Sequence, residues 1–268
     1  MNNAAIGIFD SGVGGLTVAK AVRAELPDES IIYFGDSIHL PYGNKSPSAI
    51  LQYSFANMRF LCSLGVKIVI VACNTSTAVA LTKLQAASSV PVIGVINPGA
   101  QAAVTATKNG KIGIVGTSRT VLSRAYTKSI QTICRGSNFN EKKIVVYEKA
   151  CPLFVPIVEE NFKNKKIIEQ IVYEYMRELA SKTDTIVLGC THYPLIRPVI
   201  SRVFPRIRLI DSARSTASAA ASFLRQNNLT KKKDGNTKLH IYTNDINEVF
   251  KKISHRLFPR EKILFKEP

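Results

Sequence analysis

Two cysteines lie where a thiol could carry out chemistry. Cys73 follows an apolar run in V-I-V-A-C-N-T, and Cys190 follows a similar run in I-V-L-G-C-T-H. Both runs are typical of buried strands, and the residues after each cysteine carry hydroxyl, amide or imidazole groups. Because ligands of open α/β sheets bind beyond the carboxyl ends of the strands, we expect both thiols to face a ligand.

A thiol needs help to act as a base at neutral pH. Its pKa is near 8.5, so holding it as a thiolate at pH 7 costs about 2 kcal/mol. Each cysteine is predicted to begin a helix, and a helix N-terminus contributes roughly 0.3–1 kcal/mol, or ~2 kcal/mol when partly buried. The sequence offers two further helpers, which are His192 close to Cys190 and Asp10 at the end of the first predicted strand.

Three kinds of chemistry could use such a pair of thiols. One thiol could be a redox nucleophile and the other its resolving partner, although the chain lacks C-x-x-C. The thiols could share a metal with His192, although compact ligand spacing is missing. Finally, one sulfur could remove a proton from carbon while the other returns a proton from the opposite face. Inversion of a stereocentre needs an acid and a base on opposite sides, and the residues favour this reaction.

The strand pattern of the chain occurs twice in the same order. Four apolar runs in the first hundred residues resemble four later runs at nearly the same offset. The matched runs are 6–9 with 112–115, 31–34 with 144–147, 68–72 with 185–189, and 92–96 with 207–210. The pattern indicates two related halves, which would present Cys73 and Cys190 to each other across one cleft.

Short apolar runs that alternate with longer helical stretches predict an α/β fold. We expect two pseudo-symmetric three-layer α/β domains with mainly parallel sheets and an active site in the cleft between them. The first predicted domain comprises residues 1–97 and 212–268, and the second comprises residues 98–211. The tail is predicted to form a helix at 216–226, a strand at 239–243 and a helix at 245–255, and to pack on the first domain.

The composition is that of an ordinary soluble globular protein. Hydrophobic residues make up 46% of the 268 residues and charged residues 21%, and no window approaches the length of a membrane helix. The acidic residue Asp10 argues against a secretory signal peptide. The five cysteines are an odd number in a chain too long to need disulfides, so we expect reduced thiols and a cytoplasmic protein without membrane association.

The chain is strongly basic. It has 36 Lys and Arg against 19 acidic residues, a net charge of +17, which could draw polyanions or steer acidic substrates. Nucleic acid is nevertheless an unexpected partner, because there is no zinc-finger spacing, no aromatic-rich ribonucleoprotein motif and no Trp. The basic residues are also dispersed, as in Lys142-Lys143, Lys165-Lys166, Lys231 to Lys233 and Lys251-Lys252, and we expect them to lie on solvated faces and loops.

The glycine-rich run at residues 12–15 does not match a nucleotide-binding motif. Thr17 breaks the G-x-G-x-x-G register, and the P-loop sequence G-K-[ST] is missing. We predict a tight strand-to-helix turn that lets the backbone approach a ligand closely.

Six motifs in order resemble the glutamate racemases, within the wider group of cofactor-independent aspartate/glutamate racemases. They are F-D-S-G-V-G-G-L at 9–16, Y-F-G-D-S at 33–37, L-P-Y-G at 40–43, A-C-N-T at 72–75, A-C-P-L-F-V-P-I-V-E at 150–159 and G-C-T-H-Y-P-L at 189–195. The resemblance covers nearly the whole chain, and the last motif favours glutamate enzymes over aspartate enzymes.

The resemblance implies interconversion of L- and D-glutamate without pyridoxal phosphate, metal or other cofactor, and supply of D-glutamate for peptidoglycan. It implies that Cys73 takes the proton from D-glutamate with help from Asp10. It likewise implies that Cys190 takes the proton from L-glutamate with help from His192 and Glu159. Asp36 is a supporting candidate. Members of this family form dimers in several arrangements, so a homodimer is expected.

The expected substrate-binding residues are mostly neutral donors at strand ends or helix starts, which bind carboxylates well. They are Asp10, Ser11, Pro41, Tyr42, Gly43, Asn74, Thr75, Thr117, Thr120, Thr191 and His192. The nearest alternative is a racemase for another acidic amino acid, chiefly aspartate. A thiol–metal hydrolase and a basic nucleic-acid-binding protein are alternatives from other classes.

Overall fold

The computed structural model describes residues 3–135, 144–232, 237–261 and 263–268. The basic residues Lys142, Lys143 and Lys233, which we predicted to lie on solvated faces or loops, fall outside the described residues. Lys165, Lys166, Lys232 and Lys252 are exposed, as predicted, whereas Lys231 and Lys251 are half-buried.

The strands form two sheets in which all neighbours are parallel. The six-stranded sheet consists of β1 (Ile6–Asp10), β2 (Ile31–Gly35), β3 (Ile68–Val71), β4 (Val92–Gly94), β9 (Leu239–Thr243) and β10 (Leu264–Lys266). The four-stranded sheet consists of β5 (Lys111–Gly116), β6 (Val145–Ala150), β7 (Thr185–Gly189) and β8 (Arg208–Asp211). Their strand orders are β10-β9-β2-β1-β3-β4 and β6-β5-β7-β8.

The two sheets repeat one arrangement. The order β2-β1-β3-β4 in the first sheet is the order β6-β5-β7-β8 in the second, so every matched pair of apolar runs occupies equivalent positions. The predicted α/β class with two parallel sheets is confirmed, and the repeat in the sequence is a repeat of topology. Consequently β3 and β7, which precede the two cysteines, are equivalent strands.

Helices cover both faces of each sheet. Their bounds are α1 (Leu16–Glu25), α2 (Pro47–Ser63), α3 (Asn74–Ala87), α4 (Ile96–Ala106), α5 (Ser118–Ser123), α6 (Ala125–Arg135), α7 (Phe154–Glu159), α8 (Lys165–Lys182), α9 (Arg197–Val203), α10 (Ser212–Gln226) and α11 (Glu248–Leu257). Along β1, Ile8 packs into one core cluster and Phe9 into another, because successive side chains of a strand point to opposite faces. Within the described ranges, no helix is long and apolar enough to cross a membrane.

The tail packs on the first sheet through the pairing of β9 with β2, as predicted. Strand β10 was not predicted from the sequence. Helix α10 begins earlier than predicted, since the Asp211 side chain accepts a hydrogen bond from the Ala213 backbone N–H. Helix α11 begins later than predicted, since the Asn247 side chain caps it by accepting a hydrogen bond from the Phe250 backbone N–H.

Strand β4 is shorter than predicted and ends at Gly94. The next backbone N–H, that of Val95, is directed at the Thr77 hydroxyl at 3.4 Å, and helix α4 then begins at Ile96. The boundary predicted between residues 97 and 98 therefore falls inside a helix, and the division into domains stays a prediction.

Candidate active site

Cys73 is the N-cap residue of helix α3, as the sequence predicted. Its side chain is buried, with an exposed fraction of 4%. The Ser76 backbone N–H donates to the sulfur at 3.5 Å, and the thiol donates to the Ser11 hydroxyl at 3.7 Å. Strand β3 and helix α3 together therefore direct the sulfur toward the glycine-rich turn that follows β1.

The surroundings of Cys73 favour the protonated thiol. Burial, and to a smaller extent the charge of Asp10, raises the pKa of Cys73 to about 12. Hydrogen bonds from Ser76 and with Ser11 offset only part of this effect. Desolvation thus outweighs the helix N-terminus, and Cys73 carries a proton at neutral pH.

Cys190 has a different local structure from the one predicted. It does not begin an α-helix: the Tyr193 backbone N–H donates to the Cys190 carbonyl at 3.1 Å, which closes a turn, and a short 3-10 helix follows at Tyr193–Ile196. The prediction of a helix start was wrong because Pro194 lacks the N–H that an α-helical ladder would continue to use. Helix α9 begins only at Arg197.

His192 and Glu159 lie beside Cys190 instead. The His192 Nδ1 atom is 3.7 Å from the Cys190 sulfur, and His192 Nε2 is hydrogen-bonded to Glu159 Oε1. Burial by itself would lower the pKa of His192, but the Glu159 carboxylate and the contact with Cys190 raise it well above its ordinary value. The imidazole is therefore held as a cation between the Glu159 side chain and the Cys190 sulfur.

Both thiols line the same cavity. Its volume is about 20 Å³, which is room for roughly one water molecule. The lining residues are Ser11, Leu40, Pro41, Tyr42, Gly43, Cys73, Asn74, Thr75, Thr117, Val155, Cys190, Thr191 and His192. Residues from both halves of the chain, including both cysteines, therefore line a single small space.

Three predicted site residues lie behind this wall and contact the residues that form it. Thr120 is within 3.0 Å of the Thr117 hydroxyl, and Glu159 holds His192. Asp10 accepts hydrogen bonds from the Gly15 backbone N–H at 2.8 Å and from the Thr191 hydroxyl at 3.3 Å.

Asp10 is completely buried at the end of β1. Burial raises the pKa of this carboxyl group, while the charge of His192 and the backbone N–H groups of the turn oppose the rise. Its hydrogen bonds extend to the turn and to Thr191, whereas its charge acts on Cys73 through space. Asp10 thus couples electrostatically to groups from both halves.

Hydrogen bonds between neutral side chains join the two halves at the site. The hydroxyls of Thr75 and Thr117 are 2.9 Å apart, and the Tyr126 hydroxyl donates to Asn74 Oδ1 at 2.7 Å. The Asn74 Nδ2 group is buried and has no hydrogen-bond partner among the described residues. A buried donor left without a partner costs about 1–3 kcal/mol, so this amide is suited to bind an acceptor in the cavity.

The glycine-rich turn is shaped by contact with the other half. A Cβ atom at Gly14 would lie 2.6 Å from both His192 Nδ1 and the Thr191 hydroxyl oxygen. At Gly43, a Cβ atom would lie 2.8 Å from Thr117 Cβ. The close approach that we predicted at the glycine-rich turn is therefore made to protein groups across the cleft.

Several residues of this site were not among the predicted site residues. Leu40 and Val155 line the cavity but carry no polar group, and Tyr126 reaches Asn74 from helix α6. In the part of the chain that the structure describes, no group of three or more His, Cys, Asp or Glu side chains could hold a metal ion.

A sequence profile of the Asp/Glu/hydantoin racemases matches residues 16–220. The chain belongs to this family. Curated glutamate racemases are close relatives: that of Persephonella marina is 45% identical over 239 residues, which cover 88% of this chain and 87% of the relative. That of Streptococcus equi subsp. equi is 47% identical over 213 residues, covering 79% and 78%.

Solved structures agree with this membership of the racemase family. A glutamate racemase isoform from Bacillus anthracis has a TM-score of 0.92 and 35% identity, with 100% of this chain and 98% of that chain covered. The glutamate racemase of Francisella tularensis, solved in complex with D-glutamate, has a TM-score of 0.88 and 34% identity. This match also covers 100% of this chain and 98% of that chain. An aspartate racemase from Picrophilus torridus, at 18% identity and a TM-score of 0.61, shares the fold. The protein is a racemase.

The raised pKa of Cys73 predicts a loss of stability at alkaline pH. An unfolded thiol releases its proton near pH 8.5, whereas the folded protein holds it until about pH 12. The contribution of Cys73 is therefore fully present below about pH 8.5 and falls by about 1.4 kcal/mol per pH unit above that value. In the Cys73→Ser variant, this part of the pH dependence should be missing. Chemical denaturation at several alkaline pH values measures it.

Cys134→Ser is the matched control for this experiment, because Cys134 is only partly buried on helix α6. Its pH dependence should stay close to that of the unaltered protein. Parallel stability curves for Cys73→Ser and the unaltered protein between about pH 9 and 11 would contradict a strongly raised pKa.

Proposed function

We propose that this racemase interconverts L- and D-glutamate, with Cys73 and Cys190 as its two acid/base groups. The observation that carries the proposal is that both thiols line one cavity, each beyond the carboxyl end of the equivalent strand in its own sheet. A stereocentre between the sulfurs would have a proton acceptor on one face and a proton donor on the other.

The two sulfurs differ in a way that suits the reaction of L-glutamate. A cationic imidazole stabilises negative charge on a neighbouring sulfur, so the Cys190 thiolate is the base. It removes the α-proton of L-glutamate and becomes a thiol, while the Cys73 thiol gives its proton to the opposite face and becomes a thiolate. D-glutamate results, and the reverse reaction begins from this exchanged pair. Proton exchange through His192 and solvent returns the resting state.

Glutamate as the substrate is supported by the relatives and by the chemistry of the cavity wall. The solved racemases with matching folds include one in complex with D-glutamate and one from Escherichia coli in complex with L-glutamate. In this chain, the unpartnered amide of Asn74 and the hydroxyls of Ser11 and Thr191 are donors for carboxylates. The net charge of +17 would attract an anionic substrate such as glutamate.

Closure of the two halves supports proton abstraction from carbon. A cavity of about 20 Å³ is far too small for glutamate, so the halves must separate for binding and close around the substrate. Removal of the α-proton gives a carbanion-like state beside a carboxylate, in which the negative charge is poorly delocalised. Exclusion of water and fixed donors that stabilise this charge therefore contribute most of the rate.

The biological setting follows from the resemblance to glutamate racemases. We propose that the enzyme needs no cofactor and that its D-glutamate is supplied for peptidoglycan synthesis. We also propose that it works in the cytoplasm, where its free thiols stay reduced.

The expected homodimer would be tested by sedimentation equilibrium. Weak or absent retardation of DNA at physiological salt would agree with the expectation that nucleic acid is not a partner.

Replacement of either thiol by a hydroxyl should abolish racemisation. Because each sulfur supplies one of the two proton transfers, Cys73→Ser and Cys190→Ser should each lower kcat by at least ~100-fold. Circular dichroism follows the loss of optical activity, and incorporation of solvent deuterium at Cα reports proton exchange directly.

Cys134→Ser provides the control, since Cys134 lies outside the cavity lining. This variant should keep the kcat of the unaltered enzyme. Undiminished racemisation by either Cys73→Ser or Cys190→Ser would refute the two-thiol mechanism.

Glutamate should be turned over in strong preference to aspartate. The cavity wall presents donors from both halves. We expect the side chain of aspartate, which is shorter by one methylene, not to span both sets of donors. A polar contact left unmade costs about 1–3 kcal/mol, so kcat/KM for L-aspartate should be at least ~10-fold lower. Parallel circular dichroism assays with both amino acids measure the ratio, and a higher kcat/KM for aspartate would overturn the substrate assignment.

A further inference from the structure

Asn244 lies at the carboxyl edge of the first sheet, immediately after β9. The parallel register pairs Gly35 of β2 with Thr243 of β9, so the next residues on each strand, Asp36 and Asn244, lie side by side. Asn244 does not line the cavity. It nevertheless borders the loop at residues 36–44, and residues 40–43 of this loop line the cavity.

Both ends of the Asn244 amide bind this loop. Its Nδ2 group donates to Asp36 Oδ1 at 2.6 Å, and its Oδ1 atom accepts from the Ile38 backbone N–H at 3.0 Å. The Ile38 side chain is 63% exposed, so apolar packing does little to hold this end of the loop. Polar contacts with the end of β9 hold the loop here. The contact between the Ser37 and Thr243 hydroxyls is a further one of these.

Asp36 connects Asn244 to the cavity wall. Its side chain is buried, and its Oδ2 atom accepts the hydrogen bond of the Tyr42 hydroxyl. Asn57 Nδ2 donates to the same tyrosine oxygen at 3.1 Å, so Tyr42 is held from two sides. Tyr42 and Gly43 line the cavity, and Gly43 packs against Thr117 of the second half.

We propose that Asn244 is a positioning residue for substrate binding. Through Asp36 it holds Tyr42 and Gly43 in the orientation in which they meet the second half and the substrate. This inference rests on the proposed glutamate racemase function. It extends the site to the C-terminal segment, which has no counterpart in the repeat and carries none of the predicted site residues.

The Asn244 amide is one of two groups that meet Asp36 Oδ1, since His39 Nδ1 lies 2.8 Å from the same oxygen. Of the two, only Asn244 also accepts from the Ile38 backbone N–H. Asn244→Asp keeps the shape of the side chain and the oxygen that accepts from the Ile38 backbone N–H. It places a second carboxylate against that of Asp36, however, across the 2.6 Å contact. Asp36→Asn opposes two amide donors across the same contact. The double variant Asp36→Asn/Asn244→Asp restores a donor–acceptor pair with its direction reversed, and it leaves an oxygen at position 36 for the Tyr42 hydroxyl.

Steady-state kinetics of these variants test the inference. Asn244→Asp should raise the KM for glutamate about tenfold, the equivalent of one lost hydrogen bond, and leave kcat within about threefold. The double variant should have a KM closer to that of the unaltered enzyme than either single variant has. The control is Asn247→Ala, which removes the N-cap of α11 in the same segment; it should lower the midpoint of thermal unfolding and leave KM unchanged.

The inference is overturned by a KM of Asn244→Asp within twofold of the unaltered value, by an equal KM rise in Asn247→Ala, or by a double variant no better than the single ones. If the unaltered protein does not racemise glutamate, the proposed function fails, and hydrogen exchange in the ligand-free protein decides the inference separately. Faster exchange of the backbone amides at 38–44 in Asn244→Asp than in Asn247→Ala supports it, and equal exchange overturns it.

Discussion

The site depends on the alignment of carboxyl ends in two parallel sheets of the same order. Asp10 ends β1, Asp36 follows β2, and the two cysteines lie just beyond β3 and β7. In a parallel sheet, all strand ends of one kind lie at one edge, so residues far apart in the chain meet without any special loop. Two such edges that face each other then enclose the cavity from both sides.

The two sulfurs have different surroundings. At Cys73, burial outweighs the helix N-terminus and the hydrogen bonds to the sulfur, and the group is held as a thiol. At Cys190, a histidine that is paired with a carboxylate takes the place of a helix end. The repeated backbone arrangement thus carries two thiols with different neighbours, which is the asymmetry on which the proposed division of acid and base roles depends.

Much of this arrangement was predictable from the sequence because it depends on local patterns. The apolar runs indicated eight strands, their repeated order indicated equivalent halves, and residues just after the strands indicated the cavity wall. The helix start predicted at Cys190 was wrong, because Pro194 changes the local hydrogen bonding. Asn244 was missed because its role arises from the register of β9 on β2, and no property of the residues around it in the chain reports that register.

The bonds that join the halves at the cavity have a consequence for the speed of the catalytic cycle. They are formed by hydroxyl and amide groups such as Thr75 with Thr117 and Tyr126 with Asn74. Neutral hydrogen bonds contribute only about 0.5–1.5 kcal/mol each, and water replaces them readily when they break. In the proposed catalytic cycle, opening of the cavity therefore breaks only weak bonds that water can replace, so product release should keep to the microsecond-to-millisecond scale of domain motions.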